Sequence, residues 1–178
     1  MVPAERPETL ALRWPIGGQA PLPQRVQNRY SFAVGVNQEP FRRVQSAIGF
    51  EVTERGWAEL SAGLVCDAMV LAVDKETGSP VATAVGEQRE GWIELGWVAV
   101  APKHRGRGLG HAVCHRLVTH LLAVGQTRLF GSTQDHRSAA LRIYLSLGFH
   151  PVLRPEKLQR WRAVCKQLGV PFTPGLWA

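Results

Sequence analysis

The chain has 178 residues, 45% hydrophobic and 20% charged, which fits a single globular domain able to bury a sizeable core. Its 21 Lys and Arg against 14 Asp and Glu leave a net charge of +7. That favours an anionic ligand or partner, but does not choose between nucleic acid and a polyphosphate cofactor. Three widely spaced cysteines, Cys66, Cys114 and Cys165, argue against a disulfide framework or zinc ribbon and fit a reducing cytoplasm. Acids and prolines stand where a signal peptide needs an apolar core, and the apolar runs fall short of a membrane span, so a soluble cytoplasmic protein is expected.

Residues 1–29 carry Pro3, Pro7, Pro15, Pro21 and Pro23, a density that breaks helices and central strands. They read as an extended arm with one possible strand at Thr9–Trp14. The expected main domain covers 30–154. Residues 39–49 and 53–62 look helical, with Thr53 as N-cap and Trp57, Leu60 and Leu64 at helical spacing. Cys66–Val73, Pro80–Glu87 and Trp92–Val100 read as strands on short connections, hence an antiparallel meander. Gly96 and Trp97 interrupt the third, and a glycine inside a strand marks a bulge.

A strong helix is expected at Leu109–Val124, with Leu109, Val113, Leu117, Leu121 and Val124 on one stripe and Gly125 as its C-cap. Arg128–Ser132 is a strand. Asp135 is expected to cap a helix over Arg137–Leu147 that stops at Gly148, and Phe149–Leu153 is the last strand. Residues 155–178 form a basic C-terminal helix and tail packed on the domain. This order gives an α/β fold with a mixed, mostly antiparallel sheet of six to seven strands, flanked by about four helices and the C-terminal helix.

At the centre lies HRGRGLGHAV, residues 104–113, a glycine loop between a strand and a helix. A Walker A loop needs Lys-Ser/Thr after its last glycine, whereas His111-Ala112 follow Gly110. A dinucleotide fingerprint needs another glycine spacing and an acid about 20 residues on, yet no Asp or Glu occurs between Leu95 and Gln134. A bare backbone at a helix N-terminus still suits a pyrophosphate, with Lys103, Arg105 and Arg107 adding positive charge.

The stretch VAVAPKHRGRGLGHAV resembles motif A of the GCN5-related N-acetyltransferases (GNAT), Arg/Gln-x-x-Gly-x-Gly/Ala after a strand, with Arg105, Gly108 and Gly110 in register. ALRIYLSLGFHP resembles motif B of that family through Ala140, Tyr144, Gly148 and Phe149. The resemblance covers about residues 66–153. It implies the GNAT fold, splayed at a central bulge, and transfer of an acetyl group from acetyl-CoA (coenzyme A) directly to an amine.

It also implies cofactor contacts at Val98, Ala99 and Val100, and at Arg105, Gly106, Arg107, Gly108, Leu109, Gly110 and His111. In that picture the pantetheine arm enters the splay as a pseudo-strand, and backbone N–H groups at Val98 and Val100 meet the acetyl carbonyl and pantetheine. Arg137 stands where many members have Asn, and either reaches a phosphate or faces solvent. Tyr144 holds the place of the general acid for the departing thiolate, although its helical stripe also suits a core aromatic.

Glu94, eleven positions before Arg105, sits at the offset of the catalytic glutamate of histone-acetylating members. It is the candidate base, or else a lightly paired strand carboxylate. A base matters because a lysine-type amine of pKa ~10.4 is only roughly 0.1% neutral near pH 7.4. At about 3.3 Å per residue Glu94 lies about 13 Å from Val98, so a bridging water is expected.

His111 and His115 have helical metal-ligand spacing without a third ligand, and no metal is expected. Cys66 and Cys114 read as packing residues; Phe41, Phe50 and Trp57, in the 30–62 region expected to supply the acceptor pocket, are candidates for it but are read as core. The acceptor, a small molecule or a peptide, is left open, as is a monomer or homodimer. A non-catalytic acyl-CoA-binding module and a nucleic-acid- or ribosome-associated protein are the alternatives.

Overall fold

The computed structural model describes residues 8–19 and 26–177. The arm's course around Pro3, Pro7, Pro21 and Pro23 lies outside them. The elements in order are β1 (Leu10–Arg13), β2 (Tyr30–Val34), α1 (Gln38–Ser46), α2 (Glu54–Gly63), β3 (Leu64–Asp74), β4 (Ser79–Arg89) and β5 (Trp92–Val100). A 3₁₀ turn at Pro102–His104 leads to α3 (Leu109–Ala123), β6 (Leu129–Thr133), α4 (Ser138–Ser146) and β7 (His150–Pro151). After a second 3₁₀ turn at Pro155–Lys157 come α5 (Leu158–Leu168) and the short α6 (Pro174–Trp177).

One seven-stranded sheet runs in the order β2-β3-β4-β5-β6-β1-β7. Among the described residues only β5 and β6 pair in parallel. Alternation along β4 separates the two faces. Ala82 and Ala84 join the cluster holding Leu117 and Leu121 of α3, whereas Val85 packs with Phe41 of α1 and Leu60 of α2. The larger cluster also takes Leu141 and Tyr144 from α4, and Trp161, Val164 and Leu168 from α5.

Local signals mostly hold. The Thr53 hydroxyl accepts from the Gly56 N–H at 3.0 Å, as an N-cap should. Leu109, Val113, Leu117 and Leu121 of the α3 stripe are buried, whereas Val124, past the last helical residue, is 45% exposed; Gly125 follows at φ 81°.

Several expectations are corrected. β2 was not expected: its five residues form an edge strand with only Tyr30 buried, so no clean alternation marks them. Asp135 does not cap α4. Arg137 occupies that cap position without a side-chain bond, and Asp135 instead pairs with Arg160 of α5. The last strand shrinks to His150–Pro151, and it pairs with β1. Cys66 is exposed, because it and Asp67 adopt left-handed backbone (φ 50° and 53°) in a bulge of β3. Phe41 is core, but Phe50 is half exposed.

The N-terminal strand thus lies inside the sheet. Leu10–Arg13 pairs residue by residue with Thr133–Phe130, and Leu10 and Leu12 have no exposed surface. Lys157 Nζ and Arg160 Nη2 hold the strand's approach through the carbonyls of Thr9 and Glu8, at 2.9 and 3.0 Å.

Candidate active site

The parallel pairing of β5 with β6 covers only Ile93↔Leu129 and Glu94↔Phe130. Beyond them β6 continues beside β1, and β5 continues beside β4, so the two strands part from Leu95 and Gly131 onward. β5 also carries one extra residue between Gly96, opposite Val85, and Ala99, opposite Thr83. The expected bulge is therefore present, and Trp97 rather than Gly96 takes its left-handed backbone, at φ 52°.

A cleft of about 700 Å³ lies beyond this splay, between the end of β5, the loop before α3 and the start of α4; neither Tyr144 nor Glu94 lines it. Val98, Ala99 and Val100 line one wall, and the loop before α3 lines another through Arg105, Gly106, Gly108, Leu109, Gly110 and His111. Arg137 and Ile143 lie on the opposite side with their neighbours in and before α4. Among the described residues no carboxylate lines the cleft, whereas Arg105, Arg137, Arg142, His104, His111 and His136 all do. The α3 N-terminus adds unpaired N–H groups and the positive end of its dipole.

Gly108 precedes α3 at φ 77°, and a Cβ there would meet no protein atom within 4 Å. The backbone face at the helix start is thus open. Together with the one-signed lining, it fits a polyphosphate chain, and so fits the coenzyme that the sequence motifs imply.

The loop's arginines divide. Arg105 folds its Nε onto the Val100 carbonyl at 3.1 Å and lines the cleft. Arg107 does not line it: its Nη1 donates to the Tyr30 hydroxyl at 3.1 Å. That hydroxyl also lies 3.1 Å from His104 Nδ1, so Tyr30 of β2 pins the loop across the sheet. No sequence signal connected positions 77 residues apart. Arg137 is exposed and lines the cleft.

Tyr144 lies at the splay with only 4% of its surface exposed, and its hydroxyl donates to the Leu95 carbonyl at 2.8 Å. Burial pushes its phenol well above the ordinary tyrosine range; Cys114 and Glu94 push the same way, and Arg137 opposes them. Burial likewise pushes the Cys114 thiol up to about 12, which keeps it protonated and inert.

Glu94 lies on the other face of the sheet from Ile93 and Leu95. It accepts from Ser132 Oγ at 2.6 Å, with Arg89 Nε 3.7 Å away. Glu87 stands directly opposite it on β4. Glu87 accepts from Trp97 Nε1 at 2.8 Å and Arg89 Nη2 at 2.9 Å, and desolvation raises its carboxyl. Ser132 and Glu87 were missed by sequence reasoning, because register alone brings them to Glu94.

His111 is nearly buried, and burial followed by the neighbouring His115 holds its imidazole below the ordinary range, hence neutral near pH 7. Among the described residues no three His, Cys, Asp or Glu side chains gather as a metal site requires. No helix among them is long and apolar enough to cross a membrane.

The model of the Acetyltransferase (GNAT) family matches residues 37–149. No curated protein matches the sequence. Among solved structures, a GCN5-related N-acetyltransferase from Sphaerobacter thermophilus aligns with TM-score 0.66 and 22% identity, over 81% of this chain and 48% of that one. A tandem GNAT protein from the clavulanic acid biosynthesis pathway aligns with TM-score 0.64 and 15% identity, over 83% and 51%. The ribosomal-protein-S18-alanine N-acetyltransferase of Escherichia coli gives 0.57 and 20%, over 70% and 79%. The chain spans about half the length of the first two, and identities this low show the fold alone. The family match takes in the meander, the splayed strands, the glycine loop and the Tyr144 helix together, and the chain belongs to the GNAT acetyltransferase family.

Proposed function

We propose that the protein transfers an acetyl group from acetyl-CoA directly to an amine. The observation that carries this reading is the cleft: a splay between β5 and β6 that runs into an acid-free, glycine-lined helix N-terminus. Acetyl-CoA supplies an activated thioester whose pyrophosphate is the anion such a helix start attracts.

Arg105, the backbone of Gly106, Gly108 and Gly110, and Arg137 hold the phosphates in this reading. Leu109 and His111 shape the same wall, while Arg107 acts indirectly by fixing the loop to Tyr30. Val98, Ala99 and Val100 present the backbone of β5 to the pantetheine, and an N–H aimed at the thioester carbonyl stabilises charge developing on its oxygen.

Glu94 takes the proton of the acceptor ammonium, directly or through a water, and Ser132 orients it. Tyr144 stays protonated at physiological pH, so its hydroxyl can donate to the departing sulfur. To do so it must release the Leu95 carbonyl. The acceptor is a small-molecule or peptide amine in a reducing compartment such as the cytoplasm.

Release of free CoA with a panel of amines, together with calorimetric CoA affinity, tests the reading. Tight CoA binding without release under any amine would leave an acyl-CoA-binding module in its place. For Glu94→Gln, turnover of a lysine-type amine should fall about 10²–10⁴-fold near neutral pH. Its rate should then rise with the amine's own ionisation near ~10.4. An unchanged pH–rate profile removes Glu94 from the mechanism.

A further inference from the structure

The Trp97 backbone is held from two sides. At φ 52° this bulky residue sits where non-glycine residues are rare, and such a conformation persists only when its surroundings over-determine it. Gln45 of α1, 3% exposed, donates Nε2 to the Trp97 carbonyl at 3.1 Å. The Trp97 indole donates Nε1 to Glu87 Oε2 at 2.8 Å. Phe41 and Phe50 flank the ring edge-on, with centroids 5.7 and 5.4 Å away. Glu87 is in turn fixed by Arg89 at its other oxygen, 2.9 Å away.

A trans peptide is planar, so its C=O and N–H point in opposite directions. Gln45 therefore sets the direction of the Val98 N–H when it grips the Trp97 carbonyl. Val98 lines the cleft, whereas Gln45 and Glu87 do not. Glu87 also differs from Glu94 in setting: 9% of its side chain is exposed against 25%, and both its oxygens are engaged. That is the setting of a carboxylate that holds something, not one that exchanges protons with an incoming ligand.

We propose that Gln45 and Glu87 form a clamp on Trp97 that aims the Val98 N–H, and so act as positioning residues for acyl transfer. The role rests on the acetyl-transfer reading above. The clamp acts through Trp97 alone, and neither residue touches the reacting atoms. A small misdirection of a group at the reacting centre can cost about a hundredfold in rate.

Three variants test it. Glu87→Gln keeps an acceptor oxygen for the indole, Glu87→Leu removes it, and Gln45→Met removes the donor at similar volume. The readouts are kcat and KM for acetyl-CoA, calorimetric CoA affinity, and the NMR HN–Hα coupling of Trp97 with the Val98 amide shift in the free protein. Glu87→Leu and Gln45→Met should lose about ten- to a hundredfold in kcat with CoA affinity little changed, and their Trp97 coupling should move. Glu87→Gln should restore both.

Equal loss in Glu87→Gln and Glu87→Leu would show that the charge is needed, and overturns the clamp. Should Glu87→Leu fail to fold, Gln45→Met and Glu87→Gln carry the same comparison. A parental Trp97 coupling in Gln45→Met overturns the clamp whatever the protein binds, whereas a parent that binds no CoA overturns the acetyl-transfer reading instead.

Discussion

Gly131 and Tyr144 compete for one space: a Cβ on Gly131 would stand 2.9 Å from the Tyr144 Cζ. The tyrosine ring crosses β6 where that strand leaves β5, and its hydroxyl reaches the Leu95 carbonyl on the far side at 2.8 Å. One side chain thus bridges the opening between the strands. Gly131→Ala should displace the ring and break that bond. Overpacking of this kind costs about 1–3 kcal/mol, and each kcal/mol lowers Tm by roughly 2–4 °C in a protein of this size. Thermal and denaturant unfolding measure it. An alanine variant of parental stability would mean that the ring steps aside freely.

Tyr144 gives an alkaline signature. Its folded pKa is raised, chiefly by burial, while in the unfolded chain it titrates near ~10. The folded protein therefore holds a proton that the unfolded chain gives up. The contribution is fully present below pH ~10 and falls as pH rises beyond it. Tyr144→Phe should flatten this alkaline loss, at a cost near neutral pH of about 1 kcal/mol for the unpaired Leu95 carbonyl. Stability measured from pH 7 to 11 on both proteins checks the slope; parallel curves would contradict the assignment. In turnover, the same variant should lose more in kcat than in CoA affinity.

The sequence carried the parts of the site that lie on one stretch of chain. The glycine loop, the α3 stripe, the bulge signalled by Gly96 and the Tyr144 helix all have local causes. Residues brought in by register were invisible: Ser132 beside Glu94, Glu87 opposite it, Tyr30 under Arg107, and Gly131 beneath Tyr144. No local periodicity encodes which strand lies next to which. The place of β1 shows this most plainly. Thr9–Trp14 read as a possible strand on its apolar residues, but its insertion between β6 and β7 depends on partners more than a hundred residues away. Asp135 shows the converse: its position before a helix suggested a cap, and a better partner arrived from α5.

That partner predicts an acid dependence. The Arg160 guanidinium holds the Asp135 carboxyl below the usual carboxylate range, against a smaller opposing effect of burial. A depressed folded value means that the unfolded chain takes up the proton first as pH falls. The contribution is therefore present above pH ~4 and lost as pH drops through the folded value. Both side chains are about one-third exposed or more, so solvent screening limits it to about 1 kcal/mol. Asp135→Asn should lower Tm at pH 7, and the gap to the parent should close in acid. A gap that persists undiminished at pH 3 would assign the effect to something other than the charge pair.

The cleft itself can be tested with two matched glycines. Gly108 and Gly78 both adopt left-handed backbone, at φ 77° and 67°, and a Cβ at either would meet no protein atom within 4 Å. Alanine at each position therefore carries the same kind of penalty, about 1–2 kcal/mol for a left-handed residue with a Cβ. Gly78 lies in the turn between β3 and β4, whereas Gly108 lines the cleft at the start of α3. Gly78→Ala and Gly108→Ala should lose similar stability by denaturant unfolding. Only Gly108→Ala should weaken CoA, because its methyl group and altered backbone stand where the pyrophosphate meets the helix N–H groups. Calorimetry with CoA, and with dephospho-CoA as a second ligand sharing the pyrophosphate, should show that loss for both. Equal CoA affinity in the two variants would remove the glycine loop from the binding site and leave it a structural turn.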